Sequence, residues 1–158
     1  WLVNISGNTT KTNSTSENYP SRNYEIKSYQ IVPKIGYLFS KNASWDVFYE
    51  YQNKENQIGA LETLVQSRFG TSFTVNSTKG FSLNGEFSYY KNTFNGNNLA
   101  PVAFQMLEGL QPGKNQTWRL LLQKNLTQYL DININYQGRD SETSKTIHTG
   151  NIQLRAFF

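Results

Sequence analysis

Leu130, Ile132, Ile134 and Tyr136 alternate without a break with Asp131, Asn133, Asn135 and Gln137. This two-residue period constrains the chain more than any other feature, because only a β-strand sends successive side chains to opposite faces. The alternation recurs along the chain. Tyr29, Ile31, Ile35, Tyr37 and Phe39 stand against Gln30, Lys34, Gly36 and Ser40, and Trp45, Val47, Tyr49 and Tyr51 against Asp46, Phe48, Glu50 and Gln52. Val65, Phe69, Phe73 and Val75 oppose Glu62, Gln66, Arg68 and Ser72, and Phe81, Leu83, Gly85, Phe87 and Tyr89 follow in the same way. Trp118, Leu120 and Leu122 begin another strand opposite Arg119 and Gln123, and Gly150, Ile152, Leu154, Ala156 and Phe158 end the chain opposite Asn151, Gln153 and Arg155. With Trp1-Leu2-Val3-Asn4-Ile5 as a strand already under way, the pattern predicts about eight strands, each near the roughly 9 to 11 residues that cross a bilayer at a tilt. Pro33 predicts a bulge or local distortion in the strand from Tyr29.

What lies against the apolar face decides the fold class. The chain has 158 residues, 37% of them hydrophobic, 16% charged and 15% aromatic, with a mean hydropathy of -0.62. No apolar run approaches the roughly 18 residues of a spanning helix, which excludes a helical membrane protein but not a barrel whose inner face is polar. The apolar face collects Ile35, Tyr37, Val47, Tyr49, Phe69, Phe73, Leu83, Phe87, Leu120, Leu122, Ile132, Ile134, Ile152 and Leu154, without a lysine or arginine. The opposite face carries Lys34, Asp46, Glu50, Arg68, Glu86, Arg119, Asp131 and Arg155, expected to pair across an interior or be solvated there.

Connections support the same fold. Short turns at 41–43, 76–79 and 125–128 alternate with longer polar stretches near 7–27, 53–62, 91–116 and 138–146, as in bacterial barrels with short periplasmic turns and long external loops. The expected architecture is therefore an all-β, antiparallel transmembrane β-barrel formed by a single domain over 1–158. Because Trp1 falls inside a strand and no initiator Met or signal peptide precedes it, the chain is expected to continue a longer polypeptide.

Residues able to carry chemistry are few. The single histidine, His148, shares the parity of Gly150 and Ile152 and is expected to point outward as an interfacial anchor. A barrel-embedded hydrolase would need it to point inward, near a serine or carboxylate. No nucleotide-binding, metalloprotease or nucleophile-elbow pattern occurs, and with no cysteine no cofactor and no transition-metal site is expected. Asp140 and Glu142 lack the spacing of a calcium loop. Net charge is +4 with its cations scattered among carboxylates, which gives no nucleic-acid footprint. The N-x-S/T sequons at Asn4, Asn8, Asn13, Asn42, Asn76, Asn115 and Asn125 follow from the abundance of Asn, Ser and Thr. The stretch 99–110 is unusually apolar for a loop. Leu99, Val102, Phe104, Met106, Leu107 and Leu110 predict either a lid packed on its own barrel, with a short helix at or in the mouth, or a docking surface for another protein.

The terminal pattern Ile152, Leu154, Ala156, Phe158 resembles the last strand of Gram-negative outer-membrane barrels, which departs from it in usually having an aromatic residue at the place of Ala156. Residues 106–113 (MLEGLQPG), Trp118, 136–139 (YQGR), 148–150 (HTG) and 155–158 (RAFF) are similar to the C-terminus of large outer-membrane proteins of Bacteroidota. That resemblance implies the closing part of a wider barrel in the bacterial outer membrane. It also implies a non-enzymatic pore wall or a membrane component of a transport, secretion or assembly complex. Partners would be outer-membrane lipid, the insertion machinery that reads the terminal strand, and other outer-membrane or periplasmic subunits. A different reading of the same alternation is a secreted soluble β-sandwich that binds carbohydrate, which would bury Trp45 and Tyr49 between two sheets.

Overall fold

A computed structural model describes residues 1–77 and 80–157. The strands are β1 (Leu2–Ser14), β2 (Tyr24–Ser40), β3 (Ala43–Asn56), β4 (Thr63–Ser77), β5 (Phe81–Asn95), β6 (Gly113–Thr127), β7 (Leu130–Ser141) and β8 (Ser144–Ala156), with one helix, α1 (Pro101–Leu107), between β5 and β6. They form one eight-stranded antiparallel sheet in sequence order, each strand bonded to its neighbours in the chain. No second sheet covers it among the described residues, and Trp45 and Tyr49 are 44% and 43% exposed. The two layers of a sandwich are absent.

Closure does not follow the expectation. β1 and β8 are the two edges of the sheet and do not pair with each other, so these strands make an open curved wall rather than a closed cylinder. A cylinder closes only when its tilt and stagger return the last strand to the first. Periodicity within a strand carries no information on that.

The two faces of the wall differ sharply. Register places Ile35, Val47, Thr71, Phe87, Trp118 and His148 in one row across β2 to β8, and Tyr37, Trp45, Phe73, Leu120 and Tyr136 in the next. These rows lie on the convex side and are open, with Ile35 at 52% and Trp45 at 44% exposure. The concave side carries polar residues, and several of them are buried: Glu50, Lys54, Gln66, Ser88, Asn92 and Asn115. Thus the usual distribution of a water-soluble sheet, apolar inward and polar outward, is reversed.

Close aromatic packing holds neighbouring strands of the wall. A side chain at Gly85 would fall inside the Phe73 ring, one at Gly138 inside the Trp118 indole, and one at Gly70 inside the Phe48 ring. Each glycine lets the aromatic side chain of the next strand lie flat on the sheet, as edge glycines do in barrels built with such pairs.

Strands run further than hydropathy indicated at the end carrying the longer connections. The stretch taken as a loop from residue 7 belongs to β1 as far as Ser14, and only 15–23 connects it to β2, with a 3-10 turn at Pro20–Arg22. There one side of the hairpin is polar and carries the Lys11–Glu25 ion pair at 2.8 Å, while the other holds a short Thr10–Ser28 hydroxyl contact beside Tyr24 and Ile26. The expected loops 53–62 and 91–116 shrink to 57–62 and 96–112, and 138–146 is a tight turn at Glu142 and Thr143. Loop length therefore sorts by end at three of the four connections on that side. The turn expected at 76–79 includes positions 78 and 79, which lie outside the described residues. Pro33 causes no bulge: the β2–β3 register is the same before and after it, with pairing interrupted only beside it.

In the last turn, the Glu142 carboxylate accepts the Lys114 backbone N–H at 3.1 Å and pairs with the Lys114 ammonium at 3.2 Å. The backbone hydrogen bond first, then the ammonium, holds the Glu142 carboxyl below its usual 4.5, and Glu142 raises Lys114 in return. A carboxyl lowered by folding contributes stability that is complete above the unfolded value and is lost as pH falls through the folded one. The hairpin end is therefore expected to be tight at neutral pH and to loosen below about 4.5. A carboxyl-carbon NMR titration should place the Glu142 midpoint below that of a free glutamate, and Glu142→Gln should abolish the loss of exchange protection at the Lys114 amide that acid causes in the parent.

Candidate functional site: the concave face

All eight charged residues expected on the polar face have concave parity, but they pair differently. Lys34 reaches Asp46 at 2.9 Å, and Arg68 reaches Glu50 at 3.2 Å and Glu86 at 2.5 Å. Every pair joins adjacent strands; none crosses an interior. Neighbouring strands bring Cβ atoms within about 5 Å, whereas the far wall of any lumen is much further away. Arg68 is further held by Ser88 Oγ at 3.0 Å and lies between the rings of Phe48 and Tyr90, 4.7 and 5.3 Å from their centroids. Gly70 opens the space in which Phe48 lies flat beside it. Arg119 faces the same zone on β6, and Asp131 and Arg155 are register partners on β7 and β8. No ion pair involves these three among the described residues.

The apolar loop folds back onto this face. Pro101 opens α1, where its missing N–H costs nothing, and Glu108 and Gly109 end the helix in left-handed conformations at φ 55° and 76°. Val102, Ala103, Met106 and Leu107 pack with Ile26 and Leu64 into the apolar cluster of the concave side, flanked by Tyr24 and Phe94. Lys54, only 6% exposed, donates from Nζ to the Met106 carbonyl at 2.9 Å and to Glu108 Oε1 at 2.5 Å. It satisfies the end of the helix and holds Glu108 in its left-handed conformation. Beyond the helix, Asn92 Nδ2 donates to the Gln111 carbonyl at 3.0 Å, Asn115 Nδ2 to the same oxygen at 2.7 Å, and Gln66 Nε2 to Asn92 Oδ1 at 2.9 Å. Of the six loop residues singled out by sequence, Val102, Met106 and Leu107 are buried and Leu110 is half-buried, while Leu99 and Phe104 stay exposed at 93% and 72%.

Gln66 stands on the polar face in the alternation, whereas Lys54, Asn92 and Asn115, which seat this loop with it, were not singled out. Lys54 lay in a presumed loop. The three amides carried a usable sign: polar residues of concave parity flanking the only strongly apolar connection.

On the convex side, His148 stacks on Tyr136 and tilts against Trp118, with its Nδ1 2.9 Å from the Tyr136 hydroxyl. It faces away from the concave residues, and no serine or carboxylate is among its partners. Trp45 Nε1 donates to Thr71 Oγ1 at 2.6 Å, and Tyr49 pairs with Ser67 at 3.1 Å, so the polar tips of these aromatics are met on their own face. Ile152, Leu154 and Ala156 of the terminal pattern lie exposed on the convex face of β8, and Phe158 lies outside the described residues. Among the described residues no three His, Asp or Glu side chains gather to hold a metal ion, and no helix is long and apolar enough to cross a membrane.

No protein-family model and no curated protein sequence matches the chain.

Proposed function

We propose that this chain is the wall of a transmembrane β-barrel in a bacterial outer membrane, with its convex face in lipid and its concave face toward a water-filled lumen. The supporting observation is the inverted distribution of the two faces: open apolar rows outside, paired charges and buried amides inside. A contiguous exposed apolar surface of this extent is an interaction surface, and a continuous belt fits lipid better than a single protein partner. On β5 the apolar belt runs from Phe81 to Tyr89 and meets Lys91, which lies beside Lys114 of β6. That height suits the roughly 9 to 11 residues of a tilted spanning strand. Trp118 and His148, one row nearer the Lys91 end than Tyr136, have the amphipathic character of interfacial side chains.

The unpaired edges of β1 and β8 favour a wider barrel completed by further strands, because hydrocarbon tolerates no unbonded strand edge. The similarity of the C-terminal residues to large Bacteroidota outer-membrane proteins supports the same reading. The role is non-enzymatic: a pore wall, or the membrane part of a transport, secretion or assembly complex. A fold alone does not choose among these. The loop 96–112 narrows the mouth, leaving Leu99 and Phe104 free to meet another subunit, and the terminal strand engages the insertion machinery.

Fractionation tests the location. The full-length protein should stay in the outer-membrane pellet after an alkaline carbonate wash and enter solution only with detergent. A monomer that remains in solution without detergent would falsify the reading.

A further inference from the structure

The polar residues of the concave face fall into two groups. Around α1 and Arg68 they are bonded to one another. Toward the opposite end of β5 to β8, the rows Ser82–Gln123–Asn133–Gln153 and Asn84–Leu121–Asn135–Asn151 bring neutral side chains together on adjacent strands. They line a depression of about 370 Å³ that contains no charged residue. Five of these amides, Gln123, Asn133, Asn135, Asn151 and Gln153, make no side-chain hydrogen bond to any described residue, and among them the Asn135 Oδ1 is buried. An amide presents two donors and one carbonyl acceptor, so the cluster offers hydrogen bonds of both kinds without net charge. Leu121, of concave parity, adds an apolar side chain to the lining.

We propose that this depression is a binding subsite for a neutral, hydroxyl-rich ligand of the saccharide class. Adjacent hydroxyls of a sugar ring donate and accept as paired amides do, and the C–H face of the ring packs against Leu121. The lining itself offers a charged ligand no counter-ion, the nearest charges, among them Arg119, Asp131 and Arg155, standing one row beyond it. The subsite depends on the concave face being open to water and not on the membrane, so failure of one proposal leaves the other standing.

Calorimetric titration of the full-length protein, solubilised in detergent if it requires it, with maltotriose and with cellotriose tests the site, with lysine and glutamate as charged controls. At least one trisaccharide should bind with a Kd on the order of 1 mM, and neither amino acid should compete. The double variant Asn135→Leu/Asn151→Leu should bind about tenfold more weakly, from the loss of two or more modest hydrogen bonds. Gln30→Leu, on the concave face of β2 away from the cluster, should bind as the parent does, and circular dichroism verifies folding of each variant. Absence of heat with both trisaccharides, equal affinity in the double variant, or competition by lysine or glutamate would overturn the proposal.

Discussion

Leu120→Arg is expected to prevent stable membrane insertion, while Leu121→Arg, one residue later, is tolerated. Leu120 lies on the convex face in the row of Tyr37, Trp45, Phe73 and Tyr136, well inside the apolar belt. With the convex face in lipid as proposed, an arginine there would stand in hydrocarbon and cost about 2 to 4 kcal/mol near the bilayer midplane. At position 121 the same side chain enters the polar concave face, among amides and next to the lumen. Urea titration in lipid vesicles measures the difference, with circular dichroism following the strands. If the convex face were in water, Leu120→Arg would be nearly neutral, since surface substitutions remote from special features stay within about 0.5 kcal/mol. Equal midpoints for the two variants would therefore rule out a lipid-facing belt. The comparison is internal, because both changes add the same group to the same strand.

Met106→Asp is expected to unseat α1 while leaving the strands in place. Met106 and Leu64 are both completely buried. Truncating such a side chain to alanine costs about 2 to 5 kcal/mol, and a carboxylate in the same cluster adds an unpaired buried charge. The sheet does not depend on this cluster, since its ladder is continuous from β1 to β8 without the helix. The loss should therefore be local. Limited proteolysis should cut the variant within 96–112 at protease levels that leave the parent intact, with the strand signal unchanged. Lys54→Met, which removes the bonds to the Met106 carbonyl and Glu108 without opening a cavity, should give a weaker form of the same effect. Loss of the whole strand signal in Met106→Asp would instead mean that the helix supports the wall itself.

Strands whose neighbours differ in polarity were readable in the sequence, and those polar on both sides were not. In β5, Phe81 to Tyr89 alternate with Ser82 to Ser88, and the structure keeps that phase in every row. The end of β1 carries Thr, Lys, Asn and Ser on both faces, so no period marks it, although Lys11–Glu25 and Thr10–Ser28 contacts hold it on β2 as a strand. The turn at Glu142 was hidden for the same reason, since Gly138 to Lys145 is polar throughout. The eight concave charges follow from parity alone. Their partners do not, because pairing depends on which strands are adjacent and on the register between them. Curvature and the open edges lie further still from sequence, being properties of all eight strands together.

The opposite directions of β1 and β8 carry an arithmetic consequence. Reading along the sheet, orientation flips at every step, so its two margins point oppositely, and any antiparallel set bridging them must contribute strands in pairs. A ring built on this sheet therefore has an even total, whatever its girth, and a lone extra ribbon could join it only by breaking the up-and-down order.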